Sequence, residues 1–155
     1  MSVLTITLIL GFFVWGASDR WFNRRKALVI MGAVIMATVL LVLAVNPTLS
    51  YKLTIALFII FALAAGVSPI MIAHGKALFS DEVLGRGLTV MNTANMGGVF
   101  VIQAISGLLV TQAVSNQTAE SLPPVAYSIC FGFMGIIILL GVIAYSFSKD
   151  RKPFS

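Results

Sequence analysis

The chain has 155 residues, of which 59% are hydrophobic and only 10% are charged, and its formal net charge is +5. This composition leaves too little polar side-chain surface for a water-soluble domain of this length, so it argues against a soluble protein. The basic residues are dispersed over short loops and form no concentrated patch, which argues against a nucleic acid as partner.

Five long stretches contain no Asp, Glu, Lys, Arg or His, and they fill most of the chain. A helix of roughly 20 apolar residues crosses a hydrocarbon core of ~30 Å. A backbone buried in lipid must make its hydrogen bonds within the segment, and the alternating polarity of a membrane β-barrel is missing. We therefore predict an all-α, polytopic transmembrane bundle of five spans, surrounded by a lipid bilayer. The predicted spans are 2–17, 27–45, 53–73, 87–114 and 124–148.

Positive charge lies in alternate gaps between these spans. Of the 10 Lys and Arg residues, only Lys52 falls in a gap of the opposite set. Basic loops mark the cytoplasmic side. We therefore predict a cytoplasmic C-terminus, an outside N-terminus for this chain and a place in the bacterial inner (plasma) membrane. Trp15, Trp21, Tyr51 and Tyr145 lie near span ends, where aromatic side chains are expected at the membrane interface.

The first predicted span is short, and no basic residue precedes it. One explanation is a signal peptide with Gly16, Ala17 and Ser18 near its cleavage site, although the basic run directly after it argues against this. The other explanation is that the chain is a piece of a longer protein with further helices upstream. We favour the second explanation because it also accounts for the odd number of spans.

The gap after the first span carries the most specific motif of the chain. It begins with Gly16, continues with Asp19 and Arg20, and ends with the basic pair Arg24 and Arg25. This order resembles the signature loop of the major facilitator superfamily, which joins the second and third helices of each six-helix half. The alternative is an ordinary basic loop that only fixes the orientation in the membrane.

The remaining spans fit the same family in order and direction. The resemblance covers residues 1–155 and implies a partial C-terminal transmembrane domain, helices eight to twelve, with the N-terminal half as a missing partner. It implies secondary active transport of a small solute by alternating access. It also implies that Asp19 is a conformational switch that lies against a helix N-terminus of the other half, assisted by Arg20 and by Arg24 or Arg25.

The second and fifth spans are the most uniformly apolar of the chain. Helices of this composition suit lipid contact and packing at the periphery of a bundle. The resemblance assigns them to helices nine and twelve, which stand outside the central cavity in the facilitator fold.

The third span contains Gly66 and Pro69 inside the apolar stretch. Proline lacks a backbone donor and clashes with the preceding turn, so a kink is predicted near Ala65 and Gly66. This point could serve as a hinge for gating, with a static kink as the alternative. His74 follows in the next cytoplasmic loop, where we expect a solvated side chain, with a role in the charge network or in proton coupling as the alternative.

The fourth span carries a stripe of uncharged polar residues that fall within an arc of roughly 120°, at about 100° per residue. Such side chains in a membrane helix face protein or a watery cavity. We predict that they line a transport pathway, and hydrogen bonding between helices is the alternative. Gly97 and Gly98 allow either bending, as a second hinge, or close packing. The stripe consists of Thr89, Asn92, Asn95, Gln103 and Ser106.

No catalytic, metal-binding or cofactor-binding pattern accompanies these spans. Cys130 and His74 are each the single residue of their type, so neither a disulfide framework nor a metal site is indicated. We predict a protein without enzyme activity or cofactor. The alternative to a transporter is a complete five-span membrane protein that assembles or binds partners and transports nothing.

Overall fold

The computed structural model describes residues 2–22, 24–114 and 124–149. Helices and short turns account for these residues, and no strand occurs among them. The helices form five candidate membrane spans, because α3 and α4 together make one span of 26 residues. The prediction of an all-α, five-span membrane protein is confirmed. The helices are α1 (Ser2–Phe22), α2 (Arg25–Val45), α3 (Tyr51–Ala65), α4 (Ser68–Lys76), α5 (Leu84–Val114) and α6 (Pro124–Ser146).

The first helix is longer than the first predicted span. α1 continues through Asp19 and Arg20 to Phe22, and α2 begins at Arg25, so most of the motif lies in helix and not in a loop. Charged side chains end an apolar stretch but do not by themselves end a helix, since Arg is a good helix former and Asp is only weakly unfavourable. With 21 residues, α1 is about 31 Å long, enough to cross the hydrocarbon core.

The central helix of the bundle is α2, so the prediction that the second span lies at the periphery is wrong for the described residues. It packs along α6 and against α3, α4 and α1, whereas α5 contacts mainly α6. Small residues let α2 and α6 approach closely. A Cβ atom added to Gly135 would lie 3.0 Å from the Leu41 side chain and 3.4 Å from the Ala37 carbonyl oxygen. Close packing of this kind stabilises helix pairs in lipid, where the hydrophobic effect between helices is missing.

The third span is interrupted at Gly66 and Val67, where the sequence predicts a kink. Both residues keep helix-like backbone angles, with φ of −58° and −70°. Their N–H groups, however, donate to the carbonyls three residues earlier, those of Leu63 and Ala64, at 3.2 and 3.1 Å. The span is therefore tightened into a 3₁₀ turn and continues in nearly the same conformation on either side.

Pro69 has no N–H to donate to the Ala65 carbonyl, and the Ser68 hydroxyl donates to that oxygen at 2.6 Å. Hydroxyl groups often replace the backbone donor that proline removes from a membrane helix. We expect Ser68→Ala to lower the free energy of unfolding by about 1 kcal/mol, because the carbonyl loses this donor. Thermal unfolding of the purified protein in detergent measures the change.

The matched control for this prediction is Ser18→Ala. The Ser18 hydroxyl also donates to a helix carbonyl, that of Val14, at 2.8 Å. There the residue in the donor position is not proline, so the backbone N–H of Ser18 can still serve the carbonyl, and a change near zero is expected. Equal losses in the two variants would show that Ser68 has no special role at the break.

Candidate functional site

The polar stripe of α5 lies largely on an open face of the bundle. Thr89, Asn92, Asn95 and Gln103 are all exposed. The Thr89 hydroxyl donates to the Gly85 carbonyl at 3.0 Å, which satisfies it within the helix. The three amide side chains make no hydrogen bond to any described residue. These amides thus remain able to donate to and accept from a molecule outside the bundle.

Ser106 differs from the rest of the stripe. It is only 7% exposed, and its Oγ has no hydrogen-bond partner among the described residues. The structure therefore brings four members of the stripe to a common open face and leaves the fifth inside the bundle. The positions of these residues around the axis of α5 cannot predict this difference, because burial depends on which neighbouring helices pack against α5.

Gly97 and Gly98 do not pack closely against another part of the described chain. A Cβ atom added to either glycine would meet no atom within 4 Å. α5 also runs without interruption through both positions. The close-packing interpretation of this pair is wrong for the described residues, and the predicted hinge stays a prediction.

An ion pair joins the last turn of α1 to the first turn of α2. The Arg25 Nε donates to both Asp19 oxygens, at 3.1 Å to Oδ2 and 3.3 Å to Oδ1. The two side chains are 20% and 18% exposed, so water only partly screens the pair. Arg25 is the first residue of α2, so the pair links the end of α1 to the start of α2.

The face of α1 beside this ion pair is open. Arg20 is exposed, as is Arg24 just before α2, and Trp21 is 87% exposed. A Cβ atom added to Gly16 would meet nothing within 4 Å among the described residues of other helices. A shallow groove of about 440 Å³ follows this face and is lined by Phe12, Phe13, Gly16, Ala17, Arg20 and Trp21.

The break in the third span is held by α1 in direct backbone contact. A Cβ atom added to Gly66 would lie 2.5 Å from the Gly11 carbonyl carbon, and one added to Gly11 would lie 2.6 Å from the Leu63 carbonyl oxygen. The Trp15 indole Nε1–H donates to the same Leu63 carbonyl at 2.9 Å. The Trp15 side chain is 7% exposed and lies inside the bundle.

His74 is buried, which corrects the expectation of a solvated loop residue. It lies on α4, and none of its surface is exposed. Its Nε2 is 3.1 Å from the Lys149 carbonyl oxygen, which can only accept, so the proton is on Nε2. In the neutral ring, Nδ1 then accepts from the Tyr145 hydroxyl. His74 thus joins α4 to the end of α6, a contact that no local sequence pattern signals.

These arrangements can be compared with known proteins. A family model described as Major Facilitator Superfamily matches residues 1–155. No curated protein and no solved structure matches the chain. The family match agrees with the motif at residues 16–25 and with the five spans, and it supports a transporter over an enzyme. The chain therefore belongs to the Major Facilitator Superfamily, whose members are membrane transporters.

Proposed function

We propose that this chain is part of a secondary active transporter that moves a small polar solute by alternating access. The observation that carries the proposal is the open polar face of α5. Asn92, Asn95 and Gln103 are exposed on a helix that spans the membrane, and uncharged amides are costly to leave against lipid. A water-filled pathway satisfies them, and each amide can both donate to and accept from a solute.

A second helical bundle, the N-terminal half of the transporter, is the proposed partner on this open side. Two described surfaces support it. In the membrane-spanning part of α5, only 6% of the residues are buried. On α1, the exposed Trp21 lies beside the groove described above. Alternating access would then consist of rocking the two bundles around a site between them. In this arrangement the present helices supply one wall of the pathway.

The Asp19–Arg25 ion pair is the proposed switch between conformations. In one state the carboxylate pairs with Arg25, as described above. In the other it would accept from the N-terminus of a helix in the second bundle, with Arg20 and Arg24 nearby as further cations. Both partners stabilise a carboxylate by comparable, modest amounts, so the exchange is energetically balanced. Gly66 with Pro69, and Gly97 with Gly98, are the proposed hinges of the two long spans.

We propose the inner membrane of a bacterium as the location, with the C-terminus cytoplasmic and the N-terminus of this chain outside. The asymmetry of the basic residues supports this orientation.

Cysteine labelling tests the pathway. In a Cys130→Ser background, Asn92→Cys, Asn95→Cys and Gln103→Cys are each expected to react with a membrane-impermeant thiosulfonate in intact membranes. The cysteine thiolate attacks the reagent's sulfenyl sulfur, which forms a mixed disulfide and releases the sulfinate, and the thiolate forms in water but is suppressed in lipid. The control is Leu140→Cys on α6, where the native side chain is 58% exposed but apolar. We expect no reaction there.

Reaction at none of the three α5 positions would contradict the pathway and favour hydrogen bonding between helices. Reaction at Leu140→Cys as well would mean that the reagent enters the bilayer, and a larger charged reagent must then separate the α5 positions from this control.

A further inference from the structure

α2 and α6 pack against each other, and a groove opens between them beyond their closest contact. Gly135 faces Leu41 and Ala37, and a Cβ atom added to Gly132 would lie 3.6 Å from the Ala44 Cβ. Further along α6, a Cβ atom added to Gly141 would meet nothing within 4 Å. Close packing around Gly135 therefore gives way to open space beside Gly141.

An apolar groove of about 260 Å³ occupies the opening. Its walls include Val29, Ala33 and Met36 of α2, Gly141 and Val142 of α6, and Met71 of α4. From Val29 to Met36 the groove follows α2 for about 10 Å. Its length and lack of charged walls suit a hydrocarbon chain.

A lysine lies at the membrane-surface end of this groove. Lys26 precedes Val29 and Ile30 by three and four positions, which places it on the same face of α2. Its Nζ donates to the Ser146 and Ser148 carbonyls at 2.6 and 2.7 Å, next to the end of α6. An ammonium has three protons, so one remains available for another acceptor. The neighbouring Arg24 is exposed and adds positive potential.

We propose that this groove is a binding site for an anionic phospholipid, with one acyl chain between α2 and α6 and the phosphate on Lys26. The apolar walls and the cation at one end match the two parts of such a lipid, whose phosphate sits at the membrane surface and whose chains run inward. The site lies on α2, α4 and α6, away from the polar face of α5. It therefore does not depend on the proposed transport pathway.

Photolabelling tests the acyl-chain part of the site. The full chain is placed in phosphatidylcholine vesicles that contain a phosphatidylglycerol with a photoreactive group in one acyl chain. We expect label on peptides of α2 and α6, and loss of that label in Gly141→Leu, which fills the groove from α6. Ala33→Leu fills it from α2 and should have the same effect. The matched control is Gly107→Leu on α5, another glycine whose added Cβ meets nothing within 4 Å. In this variant the label on the α2 and α6 peptides should stay unchanged.

Competition tests the phosphate part. Unlabelled phosphatidylglycerol should compete about fivefold better than phosphatidylcholine, as expected for one cation near a membrane surface. Lys26→Gln should abolish this preference, and Lys26→Arg should retain it. Label that persists in both groove-filling variants, or a preference that survives Lys26→Gln, would overturn the proposal.

Discussion

Gly66→Ala is expected to destabilise the folded protein by about 1–3 kcal/mol, the usual cost of adding volume to a packed site. The added Cβ would lie 2.5, 2.7 and 2.8 Å from the Gly11 carbonyl carbon, the Gly11 Cα and the Phe12 nitrogen. All three are backbone atoms, so no side-chain rotation can relieve the contact. α1 must move away, which also lengthens the hydrogen bond from the Trp15 indole to the Leu63 carbonyl.

The control for this substitution is Gly97→Ala. It adds the same methyl group within a membrane span, where the added Cβ meets no atom within 4 Å. Alanine is also the better helix former, so this variant should be neutral or slightly more stable. Thermal unfolding in detergent, followed by helical circular dichroism, compares the two. If Gly66→Ala were as stable as Gly97→Ala, the backbone contact between α1 and the break would be wrong.

Loss of the buried His74 ring is the second large effect that we expect. His74→Ala removes a fully buried ring and leaves both the Tyr145 hydroxyl and the Lys149 carbonyl without this partner. Losing each of these two hydrogen bonds costs about 0.5–1.5 kcal/mol. The lost packing of the ring adds to this cost. The free energy of unfolding should therefore fall by about 2–4 kcal/mol.

A double-mutant cycle separates the hydrogen bond from the packing. Tyr145→Phe alone should cost less than His74→Ala, and the double variant should cost less than the sum of the two. The expected coupling is about 0.6 kcal/mol, a typical value for a hydrogen bond between membrane helices. Tyr127→Phe is the control, because Tyr127 is 49% exposed, and it should change nothing. Strictly additive effects would show that ring and hydroxyl stabilise the bundle independently.

The motif after the first span indicates the family correctly but not the local backbone structure. The order Gly16, Asp19, Arg20, Arg24, Arg25 indicates the family, and the family match over residues 1–155 agrees. The same pattern predicts a loop, whereas α1 continues to Phe22. Hydropathy marks where a chain leaves the hydrocarbon and not where its backbone stops being helical. Asp19 forms its ion pair with Arg25, which is one of the basic residues of the motif.

The sequence predicts a common face for the five polar residues of α5, and four of them are exposed together. The helical period underlies this prediction, and the exposed residues are Thr89, Asn92, Asn95 and Gln103. Ser106 satisfies the same period but is buried. The period describes one helix, whereas burial depends on the neighbour that crosses it. For the same reason, the residues near His74 in the sequence do not predict its contacts with Tyr145 and Lys149, which are 71 and 75 positions away.

The sequence by itself determined the helical class, the number of spans, the family and the place of the break near Pro69. Each of these follows from interactions within one segment, since a helix in lipid must satisfy its own backbone and must be long enough to cross the membrane. Only the tertiary structure decided the contact of Gly11 with Gly66, the burial of His74 and the groove beside Gly141. These depend on which helices become neighbours and at what distance, because packing in lipid is set by the fit of whole surfaces and not by apolar pattern.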